Sequence, residues 1–307
     1  MPSAPRIQPY LGLGLGILAV STSALFINFA LADGAPALVV AAYRLSLAAL
    51  ILLPLVIARH RPELARLSRR QLGLALVSGV FLSLHFATWV SSLAYTSVAS
   101  SVLLVDTAPL FVALIATFAL KEAPSAAMWA GLIVALAGAV VVTLSDACAA
   151  GACPPAVEMV RGRALIGDAL AVVGAIAVAV YIVIGRQLRA SVSLTTYIFL
   201  TYGTAAVSLC LIVLLARLPV AGFKPTAYLW FGLLALIPQL IGHTAYNWAL
   251  KYLPATLVSL TVLAEPIGST VLALFFLRQV PSGLKIFGGA LTLAGILLAS
   301  RHQAELE

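Results

Sequence analysis

Residues 107–125 read TAPLFVALIATFALKEAPS, and residues 264–282 read AEPIGSTVLALFFLRQVPS. Displacing the chain by 157 residues lays the first stretch on the second. Pro109 falls on Pro266, Ala116 on Ala273, Phe118 on Phe275, Leu120 on Leu277, Pro124 on Pro281 and Ser125 on Ser282. The register then runs on without a gap through Gly131/Gly288 to Leu136-Ala137-Gly138, which meets Leu293-Ala294-Gly295. Upstream, Leu93/Leu250 and Tyr95/Tyr252 hold it, and Trp89 meets Tyr246. Chance matches in an apolar chain are mostly Leu and Ala. Paired prolines, paired glycines and a basic residue at Lys121/Arg278 mark an internal repeat.

The solvent of this repeat follows from its composition. Of 307 residues 63% are hydrophobic and 9% charged, against roughly 25% charged in a soluble domain. So few charges cannot cover a water-facing surface, and lipid is the solvent that tolerates the deficit. Ten runs are long and apolar enough to cross a bilayer, over roughly 10–31, 36–57, 72–94, 97–120, 126–145, 164–185, 194–216, 227–250, 255–277 and 283–300. They are too long and too uniformly apolar for barrel strands, and backbone in lipid must satisfy itself, so they are expected as helices. The first run is expected as an uncleaved helix. The longer connections fall at 58–71 and 146–163.

The fold class expected is therefore all-α integral membrane, ten transmembrane helices in two inverted five-helix repeats. The expected limits are 1–147 for the first repeat, 148–163 for an extracytoplasmic loop, 164–301 for the second repeat and 302–307 for a cytoplasmic tail. Five crossings is an odd number, so the second copy enters from the opposite side. Inverted repeats of this kind build two exchangeable gates and are a transporter signature.

Lys and Arg counts orient the chain. With the N-terminus inside, the inner side holds Arg6, Arg59, Arg61, Arg66, Arg69, Arg70, Lys121, Arg186, Arg189, Lys251 and Arg301. The outer side holds only Arg161, Arg163, Arg217, Lys224, Arg278 and Lys285. Both termini are thus expected in the cytoplasm, and a bacterial inner membrane is the expected location. The net charge of +8 lies in these short connections, not on a basic helix face, which argues against a nucleic-acid partner. The loop DACAAGACPP carries Cys148 and Cys153 on the outer side. There they either form a disulfide or are two unrelated small residues.

The two repeated stretches, with GDALAVVGAIAVAVYIVIGRQL at 167–188 and AAYRLSLAAL at 41–50, resemble the EamA-like proteins of the drug/metabolite transporter superfamily. The resemblance covers nearly the whole chain, from about 10 to 300. It implies ten helices in two inverted repeats, around a central cavity lined mainly by the first, third, fourth, sixth, eighth and ninth. It also implies transport of amino acids, nucleobases, sugars or other metabolites, often as export. The first repeat departs from the family's frequent acidic-Pro or Asn-Pro pattern, with Ala108 where the second has Glu265.

Ionisable groups deep in a span are costly and often functional. Glu265, directly before Pro266, is the foremost candidate for substrate or proton binding. Pro266 lacks a backbone donor and frees the carbonyl of Val262. Asp106 stands three residues before Pro109 in a similar setting, as a ligand or a brace. The eighth span carries Gln239, His243 and Tyr246 at i, i+4 and i+7, with Asn247 beside them. The third carries Ser78, His85, Trp89 and Ser92 on one face. These stripes either line a cavity or bond between helices. Asn28 and Tyr181 are added to the cavity set. Arg44 is expected to be structural, snorkelling outward or pairing with an acid. Asp168 is expected to complement a helix dipole, with Pro109 and Pro266 as structural breaks.

No zinc spacing, Walker loop, HExxH or GxSxG is present in the sequence. No metal or cofactor is expected, and the chain is not expected to be an enzyme. The expected partners are the lipid bilayer and a small-molecule substrate, with proton coupling as one option. No oligomeric state is legible. A membrane-embedded enzyme and a channel-like facilitator are the competing readings.

Overall fold

The computed structural model describes residues 7–92, 95–96, 98–149, 163–277 and 280–306. Cys153 and the side chain of Cys148 lie outside the described residues, as does Arg278. Among the described residues the elements are helical, and ten of them are long and apolar enough to cross a membrane. They are α1 (Gln8–Ala32), α2 (Ala37–Arg66), α3 (Arg69–Ser92), α4 (Ser101–Ala119), α5 (Ala126–Ser145), α6 (Ala164–Arg189), α7 (Leu194–Leu215), α8 (Pro225–Ala249), α9 (Ala255–Leu272) and α10 (Gly283–Ser300).

Chain contacts divide the molecule into two compact units. One holds Met1–Ala87 and Val180–Leu253, the other Thr88–Ala179 and Pro254–Glu307. The division cuts across the repeats. In the first unit α2 packs along its counterpart α7, and α1 packs on α8. In the second, α5 packs along its counterpart α10, and α4 packs on the first half of its counterpart α9.

The α5/α10 seam is glycine-lined. A Cβ placed on Gly131 would stand 2.6 Å from Gly295 O, and one on Gly138 would stand 2.6 Å from Gly288 O. Side chains at these positions would hold the backbones apart, so the small residues allow close approach. Elsewhere large apolar side chains point outward, among them Phe118, Phe275, Leu214 and Leu215. On a membrane-spanning chain those are lipid-facing.

Two elements differ from the sequence expectation. The connection at 58–71 is mostly helical. From Leu55 the chain passes through a π-helical turn (Val56–His60) into a short helix (Arg61–Arg66). Pro62 suits the first turn of that helix because its missing N–H is not needed there. The second difference is in α8, where Ala235–His243 is π-helical. Pro238 inside it has no N–H to give, so the i→i−4 ladder cannot continue unchanged. The N–H of Thr244 accordingly reaches back five residues to Gln239 O. The α-helical spacing assumed for the Gln239/His243/Tyr246 stripe therefore does not hold.

Candidate functional site

The site-forming feature of the second unit is a pair of breaks at counterpart positions. In the first repeat a helix over Val98–Val105 ends, two turn residues follow, and helix resumes at Ala108–Ala119. In the second, Ala255–Thr261 gives way to a 3₁₀ turn at Val262–Ala264, and helix resumes at Glu265–Leu277. Ala108 and Glu265 are counterparts, so the two spans break at the same place in the repeat. Each resumed helix carries proline at its second position, Pro109 or Pro266, where no donor is required. The Val262 carbonyl, expected to be freed by Pro266, is taken by the N–H of Glu265.

The breaks bring the acids together. Asp106 lies in the turn of α4 and Glu265 opens the second half of α9, and the two carboxyls lie within Coulombic reach of each other. Asp106 Oδ2 is buried without a hydrogen-bond partner among the described residues. Such an acceptor is a costly group to bury for structure alone. Trp89, near the end of α3 in the same unit, packs its backbone and Cβ on Gly174 of α6. Asp168 accepts a hydrogen bond from Thr96 Oγ1 at 2.7 Å, which ties the α3–α4 connection to α6.

The first unit gathers most of the other candidates. Arg44 is 3% exposed, so it does not snorkel. Its Nε donates to Gln239 Oε1 at 2.7 Å, and its guanidinium lies 5.0 Å from the Phe86 ring centroid. Its named partner is thus a neutral amide, presented by the π-helical segment of α8. Phe86 also touches His85 and His243, with ring centroids at 5.1 and 6.1 Å. His243 in turn sits edge-on to Tyr246 at 6.3 Å. Below them Asn247 Nδ2 donates to Tyr181 Oη at 2.6 Å and to Tyr202 Oη at 3.3 Å. Asn247 Oδ1 remains buried without a hydrogen-bond partner among the described residues.

Tyr246 rests on Gly16 of α1, its ring 3.1 Å from where a Cβ would stand. Trp89 and Tyr246 are repeat counterparts, and each meets a glycine of the first helix of a repeat. Asn28 is exposed. Sequence reasoning missed Phe86, Tyr202 and Tyr197. The last two are fully buried phenols on α7, and Tyr197 Oη bonds Ser78 Oγ at 2.8 Å. Two tyrosines in one apolar run were the available signal, because a buried phenol must find a partner.

Comparison with known proteins agrees with this architecture. The model of the EamA-like transporter family matches residues 9–144 and again 165–301. An Archaeoglobus fulgidus protein named an uncharacterized transporter is 26% identical over 304 residues, covering 96% of this chain and 99% of its own. A Streptantibioticus cattleyicolor protein named a probable terminal-alkyne amino-acid exporter is 32% identical over 87 residues, 28% of either chain. A solved structure titled only as the crystal structure of a protein superposes with a TM-score of 0.78. It covers 96% of this chain and 98% of that one at 21% identity, which shows the fold. Two family matches in tandem, each over five crossing helices, place the chain in the EamA-like transporter family.

Proposed function

We propose that this chain is a secondary carrier that exports small amphipathic, amino-acid-like metabolites by alternating access. In this reading both termini lie in the cytoplasm and the membrane is a bacterial inner membrane. The observation that carries the reading is the matched pair of breaks in α4 and α9, with Asp106 and Glu265 at them. A broken helix bends at its break with little loss of backbone bonding elsewhere, so counterpart breaks supply counterpart moving parts. Asp106 Oδ2, a buried acceptor without a donor among the described residues, suits a solute that brings N–H groups, such as an ammonium. The two acids repel when both are charged, and a proton or a cationic solute relieves that repulsion. This is the basis for proton coupling. Export and an amino-acid-like solute draw support from the partial relative named as an amino-acid exporter.

The test is uptake and counterflow in proteoliposomes, with a panel of amino acids, nucleobases and cationic drugs. A carrier saturates and accelerates labelled flux when unlabelled solute is present on the other side. Flux that rises without saturation would favour the channel reading. Glu265→Gln should abolish or strongly reduce transport in protein that still folds, and wild-type rates in that variant remove Glu265 from the site. Cysteines placed near residue 65 should be labelled only from the cytoplasm.

A further inference from the structure

We infer that the connection between α2 and α3 is a binding surface for anionic phospholipid headgroups of the surrounding leaflet. Residues 57–70 read IARHRPELARLSRR and contain five arginines and one acid. Arg59, Arg61, Arg66, Arg69 and Arg70 are all exposed. None of the five side chains has an ion pair or hydrogen bond among the described residues.

The acid that would neutralise them is turned away. Glu63 accepts hydrogen bonds from the Ser193 N–H at 2.7 Å, from Thr196 Oγ1 at 2.6 Å and from Ser193 Oγ. It thus caps the start of α7, where a carboxylate is favoured by the helix dipole. Gln71 Nε2 adds a bond to Ser191 Oγ at 3.1 Å. Glu63 in the middle of the segment and Gln71 just after it hold it against the α6–α7 turn, and the arginines are left exposed.

Other arginines at this end behave differently. Arg186 Nη1 donates to Leu250 O at 2.8 Å, and Arg189 donates to Asn247 O and Val192 O. Those two are bound to backbone carbonyls. Equal counts in a charge tally therefore hide two kinds of arginine.

The occupant follows from what flanks the cluster. Leu55 and Ile57 before it, and Leu72 and Leu76 after it, are exposed on membrane-spanning helices. Phosphate at the arginines and acyl chains along these side chains together describe a phospholipid. Each cationic side chain at the surface of an anionic leaflet adds attraction that falls off within a Debye length.

The experiment is native mass spectrometry of the full chain from mixed micelles holding equal phosphatidylglycerol and phosphatidylcholine. The wild type should retain phosphatidylglycerol with a preference of about tenfold or more. Replacing all five arginines by glutamine should bring the preference near parity, and replacing them by lysine should keep it. An unchanged preference in the glutamine variant overturns the proposal. If that variant does not fold, the wild type decides. Its preference should fall when salt is raised from about 0.05 M to about 0.5 M, and a salt-independent preference overturns the proposal. Lipid retention is read without transport, so its failure is separate from failure of the carrier reading.

Discussion

The Thr292 hydroxyl donates to the Ala135 carbonyl at 3.4 Å, across a separation of 157 residues. That separation is the offset of the internal repeat, so the two residues are counterparts. A residue that touches its own counterpart lies on the axis relating the copies. The neighbouring contacts come in mirrored pairs, as a two-fold axis requires. A Cβ on Gly131 would stand 2.8 Å from Ala299 N, and one on Gly288 would stand 2.9 Å from Val142 N. Gly131 corresponds to Gly288, and Val142 to Ala299. The α5/α10 pair is thus the antiparallel centre of the repeat symmetry within its unit.

Gly138→Ala should therefore destabilise. The added methyl would meet Thr292 and stand 2.6 Å from Gly288 O, both on a neighbouring backbone that cannot move alone. Overpacking of this kind costs about 1–3 kcal/mol. Gly14→Ala, with nothing within 4 Å of the added carbon, should be neutral or slightly stabilising. Thermal unfolding in one detergent separates the two. Equal midpoints would remove the seam from the account of stability.

The acids at the breaks should act as a unit. If Asp106 and Glu265 share one proton or one cationic group, Asp106→Asn combined with Glu265→Gln should transport no worse than the weaker single variant. Independent roles would multiply the two losses. Initial rates of counterflow for the four proteins decide it.

Much of this was legible in the residues. The repeat offset, the ten spans and the counterpart breaks follow from apolar run length and from Pro109 and Pro266, which act through local backbone chemistry. The α-helical spacing assumed for Gln239, His243 and Tyr246 failed because Pro238 reshapes the ladder, and a shift from i−4 to i−5 leaves no trace in hydropathy. The helix through 58–66 was hidden because its polar residues look like a loop. Glu63 holds it by bonds to Ser193 and Thr196, more than a hundred residues away in sequence. For Arg44, snorkelling or an acid partner is the expectation because its amide partner lies on another span, 195 residues on.

Asp33, in the α1–α2 connection, should make stability depend on acid. Its carboxyl is held below the usual range, chiefly by the hydrogen bond from Thr226. Burial works the other way, and Trp230 and Lys224 add to the lowering. Thr226 Oγ1 stands at 2.5 Å and Trp230 Nε1 at 3.1 Å. A depressed carboxyl stabilises above its unfolded pKa of about 3.9 and loses that contribution as pH falls through the lower folded value. The melting temperature of wild type should exceed that of Asp33→Asn at neutral pH. The gap should close below about pH 4. A gap that persists in acid would assign the difference to something other than the carboxylate.

The Arg44–Gln239 bond offers the sharpest check on the first unit. Gln239 is fully buried, and the Arg44 Nε is the donor to its Oε1. Arg44→Ala strips that acceptor of its donor and takes the cation from the Phe86 face, so it should cost about 2–4 kcal/mol. Arg44→Lys keeps the charge, but its ammonium lacks the planar fork that sets Nε against the amide. It should recover only part of the loss. Because the bond joins α2 to the π-helical segment of α8, Gln239→Ala should be nearly silent in an Arg44→Ala background while costly alone. Double-mutant unfolding measures the coupling, expected at about 1.5–3 kcal/mol for a hydrogen bond to a charged group. Additive losses would mean that the two side chains are neighbours without being partners, and that the π turn is held by Pro238 alone.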